Sequence, residues 1–199
     1  MKLHRKQKQS KIENMSTTEA QQKTEQPATE EPAKKRPRTR KSSGEKTVLC
    51  MNVDHLLCKE WQDKSFHELL SAPIHALHGV AAWSDDVADK LKIHSIKDLA
   101  HWRFFLRARA MVRLAEEEIE GHRSVSSKLN ANKALDKKYE GKSLHEIMDL
   151  PPSALQGLAK HADDELRAFH VENIRDLGNW KIATIAHAIA VMAKCETDD

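Results

Sequence analysis

Two stretches of similar sequence decide the fold of this chain: HSIKDLAHW, His94–Trp102, and ENIRDLGNW, Glu172–Trp180. Each contains a residue that favours a helix N-cap, Ser95 or Asn173, placed three positions before an aspartate whose backbone amide the cap can bind. The Ile and the Leu within each stretch are three positions apart and therefore fall on one face of a helical turn. The pattern predicts a short helix that leads into a buried tryptophan, once in each half of the chain.

These stretches belong to a longer internal repeat. When the chain is shifted by 78 positions, 57–115 aligns with 135–193 without a gap, and 20 of the 59 aligned residues are identical. Repeats of 20–50 residues are typical of solenoids, whereas this longer period predicts two copies of a small domain, each with its own core. We expect the first copy over 47–120, a polar linker over 121–133 and the second copy over 134–196.

Helix start and stop signals recur at matching places in the two copies. SFHE (Ser65–Glu68) and SLHE (Ser143–Glu146) are capping boxes, in which the Ser and the Glu bind each other's backbone amides. Gly79 and Gly157 stand where a helix must stop and where a positive φ is needed. Because no alternating run of β-branched residues occurs, the chain is predicted to be all-α, with about five short helices per copy.

The first 46 residues differ from the rest in composition and charge. They contain almost no large apolar residue, which is typical of a disordered segment. Up to Val48 there are 13 basic and 6 acidic residues, a net charge of +7, whereas from Leu49 onward the net charge is −4. The densest basic run of this tail holds six cations: Lys34, Lys35, Arg36, Arg38, Arg40 and Lys41. The run could bind the phosphates of a nucleic acid, serve as a nuclear address in a eukaryote, or be only a solubilising linker.

The last helix of the first copy is predicted to carry an apolar stripe and a basic arc. The stripe is formed by Phe104, Ala108, Met111 and Ala115, and the arc carries Arg103, Arg107, Arg109 and Arg113. The four arginines could hold an anionic partner, or they could form a solvated face on which some charges meet the acidic residues that follow.

The last helix of the second copy, IATIAHAIAVMA over 182–193, is apolar almost all round. A helix that is apolar on every side is buried. We therefore expect Ile182, Ile185, Ile189 and Val191 to face either the first copy or a partner chain, which could be a second copy of this protein or another protein.

No motif indicates catalysis, a cofactor or a metal. The histidines do not cluster as ligands, and Cys50, His55 and Cys58 lack a paired C-x-x-C and a fourth ligand. Phosphate-binding loops, nucleophile elbows and zinc-protease motifs are all missing from the sequence. An odd number of cysteines indicates a reducing compartment, and no apolar run is long enough for a transmembrane helix. We expect a non-enzymatic protein of the cytoplasm, with the bacterial nucleoid or the eukaryotic nucleus as alternatives.

A resemblance to a known group of domains rests on two matching segments. ALHGVAAWSDDVADKLKIHSIKDLA and ALQGLAKHADDELRAFHVENIRDLG resemble the helix-hairpin-helix and SAM-like group of small helical domains, which includes the C-terminal domain of the RNA polymerase alpha subunit and the N-terminal domain of Rad-type recombinases. The resemblance implies a fold in which the amides of a Gly-hydrophobic-Gly hairpin hold the DNA backbone. Here the hairpins, Gly79-Val80-Ala81 and Gly157-Leu158-Ala159, lack the second glycine, and the acidic residues that follow would repel phosphate.

The sequence therefore favours a non-catalytic binding or adaptor protein. Its folded pair would contact a protein partner or a second copy of itself, while the tail would attract nucleic acid weakly. The alternative is a DNA- or RNA-binding protein that uses the tail together with the arginine-bearing helix 103–113.

Overall fold

Short helices separated by tight turns build the described part of the chain. The computed structural model describes residues 51–119, 121 and 124–197, so the predicted tail, 1–46, with its basic run lies outside these residues. The α-helices of the described part are α1 (Phe66–Leu70), α2 (Ser84–Lys90), α3 (Ile96–Ala100), α4 (Arg103–Ala115), α5 (Leu144–Met148), α6 (Ala162–Arg167), α7 (Ile174–Gly178) and α8 (Lys181–Met192). Short 3-10 segments lie between them at Asp54–Leu56, Lys59–Trp61, Ile74–Ala76, Asn132–Ala134, Lys137–Tyr139, Pro152–Ala154 and Ala193–Cys195.

Capping side chains start the helices where the sequence predicts. The Ser65 hydroxyl accepts a hydrogen bond from the Glu68 amide at 3.1 Å, and the Glu68 carboxylate accepts one from the Ser65 amide at 2.9 Å. The same pair of bonds starts α5 at Ser143. Ser95 and Asn173 cap α3 and α7 by accepting from the amide three residues on. The predicted capping boxes and the capped IxDL turns are confirmed.

The two predicted hairpin glycines occupy the same turn in both copies. Gly79 has φ +88° and Gly157 has φ +87°, a conformation that strains residues with a Cβ atom. Each turn follows a 3-10 segment that an isolated antiparallel bridge ties back to the start of its copy, Leu57 to Leu77 in the first and Leu135 to Leu155 in the second. In the described ranges these bridges are the only extended pairing, and the all-α prediction is confirmed.

Each copy has four α-helices, where the sequence analysis expected about five helices. The segment that follows Pro73 or Pro151 is a single 3-10 turn. A proline starts this segment, and the glycine turn follows directly after it. The space between them is too short for the hydrogen-bonded turns of an α-helix.

The last helices of the two copies are exchanged. Helix α4, from the first copy, packs mainly against α5 and α7 of the second copy, whereas α8, from the second copy, packs mainly against α1 and α3 of the first. The buried residues of both copies form one continuous core within a single compact unit. The expectation that each copy has its own core is therefore wrong: the two copies share one core, and each copy packs its last helix against the other.

Two equivalent glutamates stabilise this exchange, because each one caps a helix of the other copy. The Glu118 carboxylate, just after α4, accepts hydrogen bonds from the backbone amides of Leu144 and His145 at 2.9 Å each, at the start of α5. The Glu196 carboxylate, just after α8, accepts them from Phe66 at 3.0 Å and His67 at 2.9 Å, at the start of α1.

Both histidines add a ring contact to the carboxylate that faces them. The Nδ1 atom of His145 lies 2.7 Å from Glu118, and that of His67 lies 2.9 Å from Glu196. Burial would raise the pKa of Glu118, but the amide and ring hydrogen bonds outweigh it and lower the pKa. The pKa of Glu196 is lowered by the amides of His67 and Phe66. Each copy is thus held by a charged cap that belongs to the other copy.

The two repeated tryptophans meet where the copies join. Trp102 and Trp180 are 8% and 6% exposed, and their rings contact edge to face with centroids 6.5 Å apart. Phe169 lies 5.1 Å from the Trp180 ring. The prediction that both tryptophans are core residues is confirmed, but the core that they close is shared.

Candidate functional site

An open groove of about 660 Å³ lies where α4 of the first copy meets the hairpin of the second. Its basic residues come from three successive parts of the first copy: the end of α2, the start of α3 and the start of α4. They are Lys90, Lys92, Lys97 and Arg103, and the imidazoles of His101 and His161 line the groove as well. The apolar part of the lining includes Trp102, Phe104 and Leu158.

Arg103 is held at the wall of this groove by its surroundings. Its guanidinium carbon lies 4.6 Å above the Phe104 ring, a favourable cation–π contact. A Cβ atom on Gly157 would lie 3.1 Å from Nη2 of Arg103, so the glycine gives the arginine room as well as forming the turn. One helical turn further along, Arg107 Nη1 donates to the Gln156 carbonyl at 3.5 Å.

The charges of the groove are only partly neutralised. Lys90 pairs with Glu165 of the second copy at 3.1 Å. The Asp98 carboxylate already accepts hydrogen bonds from the amide of His94 and the hydroxyl of Ser95. Within the described ranges, no carboxylate lies within 4 Å of the cationic nitrogens of the other three basic residues: Lys92, Lys97 and Arg103.

The equivalent place on the other side of the duplicated fold is filled. Leu91 and His161 line the groove. At the 78-residue shift, Leu91 corresponds to Phe169 and His161 corresponds to Trp83, and these two aromatic residues lie on the other side. Phe169 and Trp83 stack on each other with centroids 6.3 Å apart and ring planes inclined by 23°. The same backbone arrangement is thus open and basic on one side and closed by two aromatic rings on the other.

The arginines in the second half of α4 lie elsewhere. Arg113 pairs with Glu116 and, at 3.0 Å, with Glu117, which is the solvated arrangement that the sequence analysis kept open. The guanidinium carbon of Arg109 lies 5.9 Å from the centroid of the Phe105 ring. Of the four predicted arginines, therefore, Arg103 lines the groove, Arg107 binds the Gln156 carbonyl next to it, and Arg109 and Arg113 lie apart from it.

The acidic residues beside the hairpins have structural partners. Asp85 contacts the backbone amide and the ring of His75. Asp163 accepts from the amide of Ser153 at 2.8 Å and from its hydroxyl at 2.6 Å. These carboxylates thus fix the start of a 3-10 segment in each copy, in addition to lying in the first turn of a helix.

The four residues predicted to form an interface on α8 have different surroundings. Ile189 is buried, Ile182 and Ile185 are partly buried, and Val191 is 46% exposed. The helix packs on α1 and α3 of the first copy, while His187 Nδ1 donates to the Ala100 carbonyl at 3.1 Å.

Three further features concern metals, cysteines and membranes. Among the described residues, no group of three or more His, Cys, Asp or Glu side chains is close enough to hold a metal ion. Cys58 and Cys195 are free thiols, and Cys50 lies outside the described ranges. In the same ranges, every helix is too short or too polar to span a bilayer.

Comparison with known proteins gives no relative: no protein-family model, curated protein or solved structure matches this chain. The resemblance to helix-hairpin-helix and SAM-like domains stays a prediction.

Sequence reasoning missed two features. The basic residues Lys90, Lys92 and Lys97 are spread over separate elements and form no run, so no local pattern marks them. The two glutamate caps did leave a signal, because Glu118 and Glu196 are identical at the same 78-residue shift, three positions beyond the aligned stretch.

Proposed function

We propose that this chain is a non-catalytic binding protein in which the helix-exchanged pair serves as an adaptor scaffold. The observation that supports this proposal most is the exchange of α4 and α8. Because each copy packs around a helix of the other copy, the two copies cannot move apart without unfolding. Surface residues contributed by both copies therefore keep a fixed geometry, as a binding surface requires.

In this proposal the folded pair contacts another protein. The inner face of α8 is already covered by the first copy, so a partner would meet the ends of the two last helices. Leu114, at the end of α4, is 60% exposed, and its repeat equivalent Met192 on α8 is 38% exposed. These two side chains and Val191 are apolar groups that a partner or a second copy of this chain could cover.

The tail would add a weak attraction to nucleic acid. Its six clustered cations can release counterions from a phosphate backbone, so this contribution would fall steeply with salt. We also propose that each copy is a SAM-like module of the helix-hairpin-helix type, which the positive φ of the hairpin glycines supports. A location in the cytoplasm, at the nucleoid or in the nucleus remains a prediction of the same hypothesis.

A second candidate function is direct binding of DNA or RNA. It is favoured by the groove beside α4, where Lys92, Lys97 and Arg103 have no carboxylate partner among the described residues. In this alternative the tail and the first half of α4 act together on one nucleic acid.

Affinity purification of the tagged full chain from its native host tests the adaptor proposal. A stoichiometric protein partner that survives nuclease treatment and high salt would support it, and Leu114→Asp together with Met192→Asp should weaken the complex. Recovery of nucleic acid alone, lost on nuclease treatment, would instead favour the second candidate.

A further inference from the structure

We propose that the groove lined by Lys90, Lys92, Lys97 and Arg103 is a binding site for the phosphodiester backbone of a nucleic acid, and that this site exists on only one side of the duplicated fold. The inference rests on the proposed binding function and assigns it a place and a ligand chemistry.

The fold is duplicated, but its two equivalent grooves differ. Both copies keep the capped turn, the glycine hairpin and the exchanged last helix, so the duplication alone would give two equivalent grooves. One of them is filled by the stacked rings of Trp83 and Phe169. The other has Leu91 and His161 at these positions and leaves about 660 Å³ of open space. A volume of this size is in the range of ligand sites in proteins.

The charged side chains that line the open groove are mostly positive. Four cations line the groove, and the one carboxylate in the lining, Asp98, is hydrogen-bonded to its own helix start. On the filled side, Lys90 and Lys92 are replaced by Ala168 and His170. The open side therefore carries four cations, whereas the closed side keeps two at the equivalent positions, Arg175 and Lys181, and Arg175 is paired with Asp149 at 3.1 Å.

The number of cations suits a nucleic acid better than a small anion. Four cations, from the end of α2, the start of α3 and the start of α4, line one open groove. Successive phosphates of a backbone can each meet a cation there, and the binding would be independent of base sequence. The tail of the same chain supplies six more cations, Lys34 to Lys41, which could follow the same backbone.

The carboxylates next to the second hairpin do not oppose this binding strongly. Asp163 is engaged with Ser153, and Glu165 is paired with Lys90. The second hairpin therefore forms one wall of the groove through Gly157 and Leu158, while the lysine and arginine side chains of the first copy supply its positive charge. Phosphate recognition here would depend on lysine and arginine side chains, and the missing second glycine of the hairpin would not prevent it.

A pair of charge-matched variants tests the site. In the groove variant, Lys97 and Arg103 are replaced by Gln. In the control variant, Arg175, the repeat equivalent of Lys97, and the exposed Lys59 are replaced by Gln, which removes the same two charges at residues that line neither this groove nor the groove beside Arg109 and Arg113. Both changes are made in the full chain and again in a full chain whose six tail cations are replaced by Gln. Circular dichroism must show that all variants melt like the parent.

Binding is measured by fluorescence anisotropy with a labelled 20-nucleotide single strand of mixed sequence, with the duplex of the same sequence as a second probe, at two salt concentrations. We expect the groove variant to bind at least about tenfold more weakly than the parent and the control variant to stay within about twofold. Loss of two phosphate contacts should also reduce the salt slope for the single strand by about 1.4. The two probes show whether a single strand or a duplex is the preferred source of the phosphates.

Two outcomes would overturn the site. If the groove and control variants weaken binding equally, the attraction is general electrostatics and the groove is not a site. If the parent binds neither probe while the tail is intact, the ligand class is wrong. In both cases a protein partner that co-purifies with the groove variant would leave the adaptor proposal standing, so the two proposals fail separately.

Discussion

Replacement of Gly178 by Ala should destabilise the protein, because α7 and α4 touch at this residue. A Cβ atom on Gly178 would lie 2.6 Å from Cγ2 of Val112, 2.8 Å from the carbonyl oxygen of Ala108 and 2.9 Å from its carbonyl carbon. Carbon atoms in packed interiors are about 3.5–4.0 Å apart. The two helices would therefore have to separate, and they could do so only by disturbing the contact that joins the two copies.

The net effect is the balance of two opposing terms. Overpacking of a well-packed core costs about 1–3 kcal/mol. Exchange of Gly for Ala in a helix recovers about 0.5–1 kcal/mol. The position is the last residue of α7, so the smaller recovery applies and the protein should lose about 0.5–2.5 kcal/mol of unfolding free energy. For a folded unit of this size, the midpoint of thermal unfolding should fall by about 1–10 °C.

Urea denaturation followed by circular dichroism measures this loss, and the chain offers a matched control. A Cβ atom on Gly141 would have no neighbour within 4 Å, and the residue has no positive φ, so Gly141→Ala should be neutral or slightly stabilising. Adding Val112→Ala to Gly178→Ala removes the clash with the Val112 side chain and leaves the clash with the Ala108 backbone. The double variant should therefore not recover the part of the unfolding free energy that is lost through the clash with Ala108. A Gly178→Ala protein as stable as the parent would refute the close approach of α4 and α7.

Three further outcomes are expected. Glu118→Gln should lower the unfolding free energy by about 1 kcal/mol, a typical value for a partly exposed helix cap, and Glu60→Gln, on an exposed 3-10 segment, should leave it unchanged in the same urea titration. The folded-state pKa of Glu118 lies below its ordinary value of 4.5. Its contribution to the unfolding free energy should therefore be complete above about pH 4.5 and lost as the pH falls through the lowered pKa. A parent and a Glu118→Gln variant with the same acid-unfolding midpoint would contradict this. Fragments 51–121 and 124–197 should form a 1:1 complex and gain helix when mixed, since each packs around the last helix of the other; fragments that do not associate would contradict the exchange.

Local features of the fold could be predicted from the sequence because their causes are local. A Ser followed three residues later by Glu binds its own helix start whatever surrounds it, as Ser65 and Ser143 do. A glycine between two helices marks a turn of positive φ, as at Gly79 and Gly157.

The exchange of the last helices could not be predicted from the same patterns. The two copies are similar enough that an apolar stripe on α4 could pack against either α3 or α7, and the sequence pattern is the same in both cases. Only the close fit of particular residues decides, such as Gly178 against Ala108. The open groove was missed for a related reason: the replacement of Trp83 by His161 and of Phe169 by Leu91 is visible in the aligned repeats, but their proximity in space is not.

The exchange also dictates an order of events while the chain is being made. The amides of Phe66 and His67 receive their cap from Glu196, which is translated 130 residues after Phe66. Until the ribosome has released that glutamate and the helix before it, the earliest helices have an incomplete apolar interior. The half of the molecule that is synthesised first is therefore the half that must wait longest to fold, and chaperones that shield nascent chains would meet it in this unfinished form.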